Sequence, residues 1–221
     1  MCDSKPLTVV LIGKTGNGKS TTSNKIVSAR DDAEMFPSSD SPKAKTEFCQ
    51  VGYGRCYGRP ITVIDTPGIL DTKVVNMMSG LRSWLPAYRE SQEEILTRVA
   101  DMFSEAKNGF DAIILVAKFG TRFTAEDAQA LKLLTAFMGS ESEGHMILLL
   151  TRGDEAERNA RKKKARSVDE YVDQWIGEMP EWVGNFIKRI RHRIVLFNNL
   201  LEVDEQPMAY IKQQQRLIEV R

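Results

Sequence analysis

The sequence predicts an α/β fold with a mostly parallel central sheet and helices on both faces, and three observations carry that prediction. Five short apolar runs, at 7–12, 61–64, 112–117, 146–150 and 194–197, are continuous rather than alternating. Runs of this kind suit strands covered on both faces. Helical periodicity fills the intervals between them, and strand–helix alternation means βαβ units. A glycine-rich turn follows the first run directly, in the region where such sheets bind ligands, beyond the carboxyl ends of their strands.

The helical intervals have recognisable faces and ends. Ile95, Val99, Met102, Phe103 and Ala106 share one face. Ala130, Leu131, Leu134, Phe137 and Met138 share another, after a cap at Thr124 and before a stop at Gly139. Val168, Tyr171, Val172, Trp175 and Ile176 form a third stripe, opened by Ser167 and Glu170 at capping-box spacing. A last helix follows Pro207, with Tyr210, Ile211, Leu217 and Ile218 on one side. Neither a repeat nor a linker divides the chain, so residues 1–221 read as one domain. The stretch 72–109 is long for one crossover and is expected to carry an extended helical segment broken near Pro86.

Composition narrows the possibilities further. Of 221 residues, 42% are apolar, which excludes global disorder. Lys+Arg number 31 and Asp+Glu 30, a balance that offers nucleic acid no footing. The three cysteines, Cys2, Cys49 and Cys56, have no metal-type spacing and point to a reducing, cytoplasmic setting. No cleavable signal is visible. No apolar stretch approaches the roughly 18 residues that span a bilayer.

The turn after the first run reads Gly13-Lys14-Thr15-Gly16-Asn17-Gly18-Lys19-Ser20, followed by Thr21. This is G-x-x-x-x-G-K-[ST] between a strand and a helix, the phosphate loop of a P-loop NTPase. Its glycines allow backbone amides to approach phosphate, and the following helix aims its N-terminal N–H groups at the anion. Lys19 brings charge to the β- and γ-phosphates. The Ser20 hydroxyl is a hard oxygen ligand suited to Mg²⁺. The strand at 61–64 runs into Asp65-Thr66-Pro67-Gly68. There Asp65 would hold Mg²⁺ through water, and the Gly68 N–H would bond the γ-phosphate and lose that bond on hydrolysis.

The base is read elsewhere. The strand at 146–150 ends in Thr151-Arg152-Gly153-Asp154, the place of the N-K-x-D motif of GTPases. The Asp154 carboxylate would accept from guanine N1 and its 2-amino group, a donor pair that adenine lacks. With Arg152 in place of lysine, the base would stack on Arg152 or on another group. Asn198 and Asn199, after the last strand, are either a second wall of the base pocket or turn formers.

In their order these motifs resemble the immunity-associated nucleotide-binding (GIMAP, or avirulence-induced-gene) family of G domains, over nearly the whole chain. The mark of that family is the box Ile114-Leu115-Val116-Ala117-Lys118-Phe119-Gly120-Thr121-Arg122-Phe123-Thr124-Ala125-Glu126-Asp127. Asp71-Thr72 and Phe197-x-Asn199 match as well. The resemblance implies GTP and GDP as ligands, with Mg²⁺. It also implies that Thr46, three residues before Cys49, reaches Mg²⁺ and the γ-phosphate in the switch.

Ras-type enzymes orient the attacking water with a Gln after the third-motif glycine. Here that residue is Ile69, so an isolated monomer is expected to turn over GTP slowly. By the same resemblance Arg122 would act across a G-domain dimer; its alternative is a surface or structural arginine. The function expected is a nucleotide switch hydrolysing GTP to GDP and stimulated by dimerisation. The alternative is a GTP-controlled oligomeric scaffold with negligible turnover. A nucleotide kinase would leave Asp154 and the box unexplained. The basic run Arg158, Arg161, Lys162, Lys163, Lys164 and Arg166 is flanked by acids and reads as a solvated loop and helix start.

Overall fold

The computed structural model describes residues 5–28, 35–37, 49–68, 100, 104–106, 109–202 and 204–220. The strands are β1 (Leu7–Gly13), β2 (Gln50–Cys56), β3 (Arg59–Asp65), β4 (Ala112–Lys118), β5 (Met146–Thr151) and β6 (Ile194–Leu196). The described helices are α1 (Lys19–Ile26), α2 (Ala125–Met138), α3 (Gly153–Lys162), α4 (Val168–Gly177), α5 (Glu181–Arg189) and α6 (Pro207–Glu219). A 3₁₀ turn, Ser140–His145, leads into β5. The extended helical segment expected at 72–109 lies almost wholly outside the described residues.

The sheet order is β2-β3-β1-β4-β5-β6. Only the edge pair β2–β3 is antiparallel; the other four pairings are parallel. The chain therefore leaves β1 for β3 on one side and returns to β4 on the other. That reversal puts a topological switch point at the carboxyl end of β1, where α/β sheets open a ligand crevice.

The continuous apolar runs conceal a strict alternation. Val10, Ile12, Ile113, Leu115, Leu148 and Leu150 face α2, α4 and α5. Leu7, Val9, Leu11, Ile114, Val116 and Leu149 face α1 and α6. Because both faces are covered, both parities are apolar.

Local signals end the helices where expected. Thr124 accepts the Asp127 N–H, and Asp127 returns a bond to the Thr124 N–H at 2.8 Å, closing a capping box. Ala130, Leu131 and Leu134 are buried, and Gly139 ends the helix at φ 84°. Ser167 caps α4 by accepting the Glu170 N–H at 3.0 Å. Glu170 itself reaches the N–H of Arg166, one residue before the cap, at 3.1 Å.

Three features depart from expectation. The edge strand β2 is absent from the sequence reading. Its Gly52 and Gly54 face Phe36 and Val27, which leave no room for a Cβ, so glycine replaces the apolar residue that would mark a strand. The β2–β3 turn is tight, with Tyr57 and Gly58 at φ 48° and 74°, the twist that two-residue hairpins favour. Helix α5 was also unread, although it buries Val183, Phe186 and Ile187. The basic run is a correction. Arg158, Arg161 and Lys162 lie within α3, which buries Ala156 and Ala160 on its opposite face.

Candidate functional site

The loop from Gly13 to Gly18 spans the switch point and is fastened on three sides. Gly13 lies so close to β4 that a Cβ would collide with the Val116 carbonyl oxygen. Asn17 donates through Nδ2 to that carbonyl at 2.9 Å. Thr151 donates to the Asn17 carbonyl at 3.1 Å and is 3% exposed. Thr151, expected at the base, is therefore a tie between β5 and the phosphate loop. The third fastening is an ion pair of 2.5 Å between Lys14 and Asp127, the residue that also closes the α2 capping box. Thr15 and Gly16 are exposed at the loop crown.

Helix α1 begins in a way that suits an anion. Gly18 holds the N-cap at φ 86°, with no side-chain cap and no acidic residue in the first turn. The positive end of the helix dipole there favours an anion. Lys19 is 7% exposed, and its ammonium donates to the Gly13 and Lys14 carbonyls at 3.2 Å each. Thr21 is half-buried in the same turn.

Opposite that turn lies the end of β3. Asp65 is fully buried and accepts from the Ser20 hydroxyl at 2.5 Å through Oδ2. Its Oδ1 is buried with no partner. Burial pushes the Asp65 carboxyl above its usual range, against the Ser20 hydrogen bond, the Lys19 charge and the Thr66 N–H. A hydroxyl, a buried carboxylate and an orphaned acceptor oxygen fit a hydrated Mg²⁺, which takes oxygen ligands and keeps several waters. Thr66 is tied to the Leu11 carbonyl at 2.7 Å, and Gly68 is buried. Thr46 lies outside the described residues, as does Ile69.

The third wall is made by the starts of α3 and of the segment after β6. Gly153 packs its Cα against the Phe197–Asn198 backbone and donates to the Phe197 carbonyl at 3.0 Å. Arg152 turns the chain at φ 64° and is exposed. Asp154 is half-buried in the first turn of α3, where its Oδ2 accepts from Arg158 at 2.9 Å. An exposed i,i+4 pair of this kind stabilises by roughly 0–1 kcal/mol, too little to keep a base from the carboxylate.

The two asparagines divide their roles. Asn198 is a turn former: its Oδ1 accepts the Leu200 N–H at 2.9 Å, and its backbone is gripped by Gln213 of α6. Asn199 faces the site, with its amide 3.1 Å from Thr22 Oγ1 and against Gly18. Helix α6 holds this corner from behind. The buried Gln214 donates to the Lys25 carbonyl and accepts the Tyr57 N–H, each at 2.9 Å.

In the box, residues 114–117 are buried strand and Phe119 is buried core, its ring tilted 47° against Trp175 with centroids 4.6 Å apart. Phe123 packs edge-on to Trp182 at 6.0 Å. Arg122 between them is exposed. Sequence reasoning did not find the Asp127–Lys14 link; a charged helix-start residue five positions after Arg122 was its only trace. Asp127→Ala removes both the box and the loop tie. It is expected to destabilise the fold by about 1–2 kcal/mol in urea unfolding.

A P-loop α/β domain of the G-domain type is what this fold and this site define. The chain belongs to the AIG1 family, whose profile matches residues 7–220. Among curated proteins it is similar to immune-associated nucleotide-binding protein 3 of Arabidopsis thaliana, with 29% identity over 93% of this chain and 53% of the relative. Protein 9 of the same series is 32% identical over 87% of this chain and 48% of its own length. The chain thus spans about half the length of the curated relatives it matches. Among solved structures it shares its fold with Toc33 from Arabidopsis thaliana in complex with GDP and Mg²⁺. That superposition has a TM-score of 0.59 at 17% identity, covering 99% of this chain and 85% of the other. Another Toc33 structure carries a dimerization-deficient mutation, with the same score and coverage.

Proposed function

We propose that this chain is a guanine-nucleotide switch that binds GTP and GDP with Mg²⁺ and hydrolyses GTP, slowly alone and faster as a G-domain dimer. One observation carries the reading: an uncapped helix N-terminus with Lys19 inside it stands opposite a buried carboxylate that has a free acceptor oxygen. The backbone of 13–18, the α1 N-terminus and Lys19 hold the phosphates. Ser20 Oγ would ligate the cation, with Thr46, and Asp65 would hold it through water. The cation would supply charge neutralisation at the phosphates. Asp154 accepts from the guanine edge, Arg152 stacks beside it, and Asn199 closes the pocket against Gly18. Gly68 bonds the γ-phosphate through its N–H and releases on hydrolysis. The same reading takes residues 1–221 as one domain with an extended helical segment at 72–109, and three cysteines without metal-type spacing support a cytoplasmic setting.

Catalysis needs a group that position 69 does not offer. Arg122 is exposed on the loop between β4 and α2, which supports its reading as the group that crosses to a second copy. Dimerization is important for the GTPase activity of the chloroplast translocon components atToc33 and psToc159, and the same route is proposed for this chain. A trans arginine adds roughly 10³–10⁵ to the rate. Single-turnover hydrolysis should therefore accelerate with protein concentration in the wild type and stay slow and concentration-independent in Arg122→Ala. Equal specific activity at all concentrations would favour the second reading, a GTP-controlled scaffold, for which the isoleucine at 69 speaks.

A further inference from the structure

Among the described residues, four buried side-chain polar atoms have no hydrogen-bond partner: Ser23 Oγ, Gln50 Oε1, Arg59 Nε and Asp65 Oδ1. The proposed cation accounts for the Asp65 oxygen. Gln50 Oε1 has no such account, and a buried acceptor without a donor is destabilising.

Its position suggests one. Gln50 opens β2 and pairs in antiparallel register with Asp65, the last residue of β3. Directly paired residues project from the same face of the sheet, with Cβ atoms roughly 4.5–5.5 Å apart. That face is the one α1 covers. Gly54, of the same parity as Gln50, lies against Val27 just after α1, and Ser20 of α1 reaches Asp65. Gln50 thus projects from the same sheet face as Asp65, on the side of α1, with an unpartnered oxygen acceptor. A Mg²⁺ ion keeps several of its waters, and each water has protons to donate. One carboxylate oxygen does not receive them all.

We propose that Gln50 Oε1 is a second water-mediated anchor of the Mg²⁺ site, accepting a hydrogen bond from a cation-bound water beside Asp65. The proposal rests on reading Ser20 and Asp65 as that site. An amide suits the position better than a second acid, because a carboxylate next to Asp65 would raise repulsion whenever the cation leaves. Gln50 is here a positioning residue; the nucleophile is left to other groups.

The test measures dissociation of a fluorescent GDP from the whole chain across a free Mg²⁺ titration, with thermal unfolding of the nucleotide-free protein alongside. In Gln50→Leu the Mg²⁺ concentration that half-maximally slows release should rise roughly tenfold, the usual scale for losing a partner of a metal-bound group. Release in EDTA should match wild type, and the nucleotide-free Tm should hold or rise, since an orphaned acceptor is gone. Gln50→Glu should bring the Mg²⁺ midpoint back toward wild type. If Gln50→Leu does not fold, Gln50→Asn, which withdraws the acceptor by one methylene, should show the same raised midpoint. An unchanged midpoint, or a change of equal size in EDTA, overturns the role of Gln50. Wild-type release that ignores Mg²⁺ overturns the cation site itself, and the proposal with it.

Discussion

Lys19→Ala should lower the affinity for GDP and GTP by on the order of 10²–10⁴-fold while leaving the fold intact. Lys19 is 7% exposed, and its ammonium already sits 3.2 Å from two loop carbonyls. A small rearrangement brings it onto phosphate oxygens without new burial. Each charge-assisted hydrogen bond made there contributes about 1.5–3 kcal/mol, so two account for the expected loss. Lys19→Arg should recover little. A planar guanidinium does not fit where a compact ammonium bridges the Gly13 and Lys14 carbonyls. Titration calorimetry with GDP and Mg²⁺ reads the effect directly, with urea unfolding to verify the fold. Affinity within threefold of wild type would remove Lys19 from the phosphate site.

The second large effect is a change of base. Asp154→Asn replaces two acceptor oxygens by one acceptor and one amide donor. Guanine presents two donors, N1–H and the 2-amino group, so one pairing becomes donor against donor. Losing one charge-assisted bond and leaving a donor unpaired should reduce GTP affinity on the order of 10²–10⁴-fold. Xanthine carries a carbonyl in place of the 2-amino group and complements the new amide, so xanthosine triphosphate should become the preferred ligand. The Arg158 pair does not protect against this, because it is exposed and occupies only Oδ2. Competition binding with guanine, adenine and xanthine nucleotides decides it. Equal affinities for GTP and ATP in the wild type would dismiss Asp154 as the base reader.

Much of this was legible because the information was local. The phosphate loop declares itself within eight residues by its G-x-x-x-x-G-K-[ST] spacing between a strand and a helix. Five of the six strands were legible from apolar runs, and the caps at Thr124 and Ser167 from hydrogen bonds three residues long. Strand β2 was not legible because the space that its side chains would fill belongs to Phe36 and Val27, residues remote in sequence. Thr151 stands in the base-motif position, and Asn198 reads as either a wall of the base pocket or a turn former. The Thr151 hydroxyl goes instead to the Asn17 carbonyl, and Asn198 Oδ1 takes the turn role on the Leu200 N–H.

By itself, then, the sequence determined the alternation of strands and helices, the P-loop motif and the family box, all carried by neighbours along the chain. Tertiary structure alone decided which of those residues are fastenings. It set Asp127 on Lys14, Thr151 on the loop backbone, and Gln50 beside Asp65. The physical reason is that hydrogen bonds and burial act over a few ångströms of space, and the pairs involved lie between 15 and 134 residues apart in the chain.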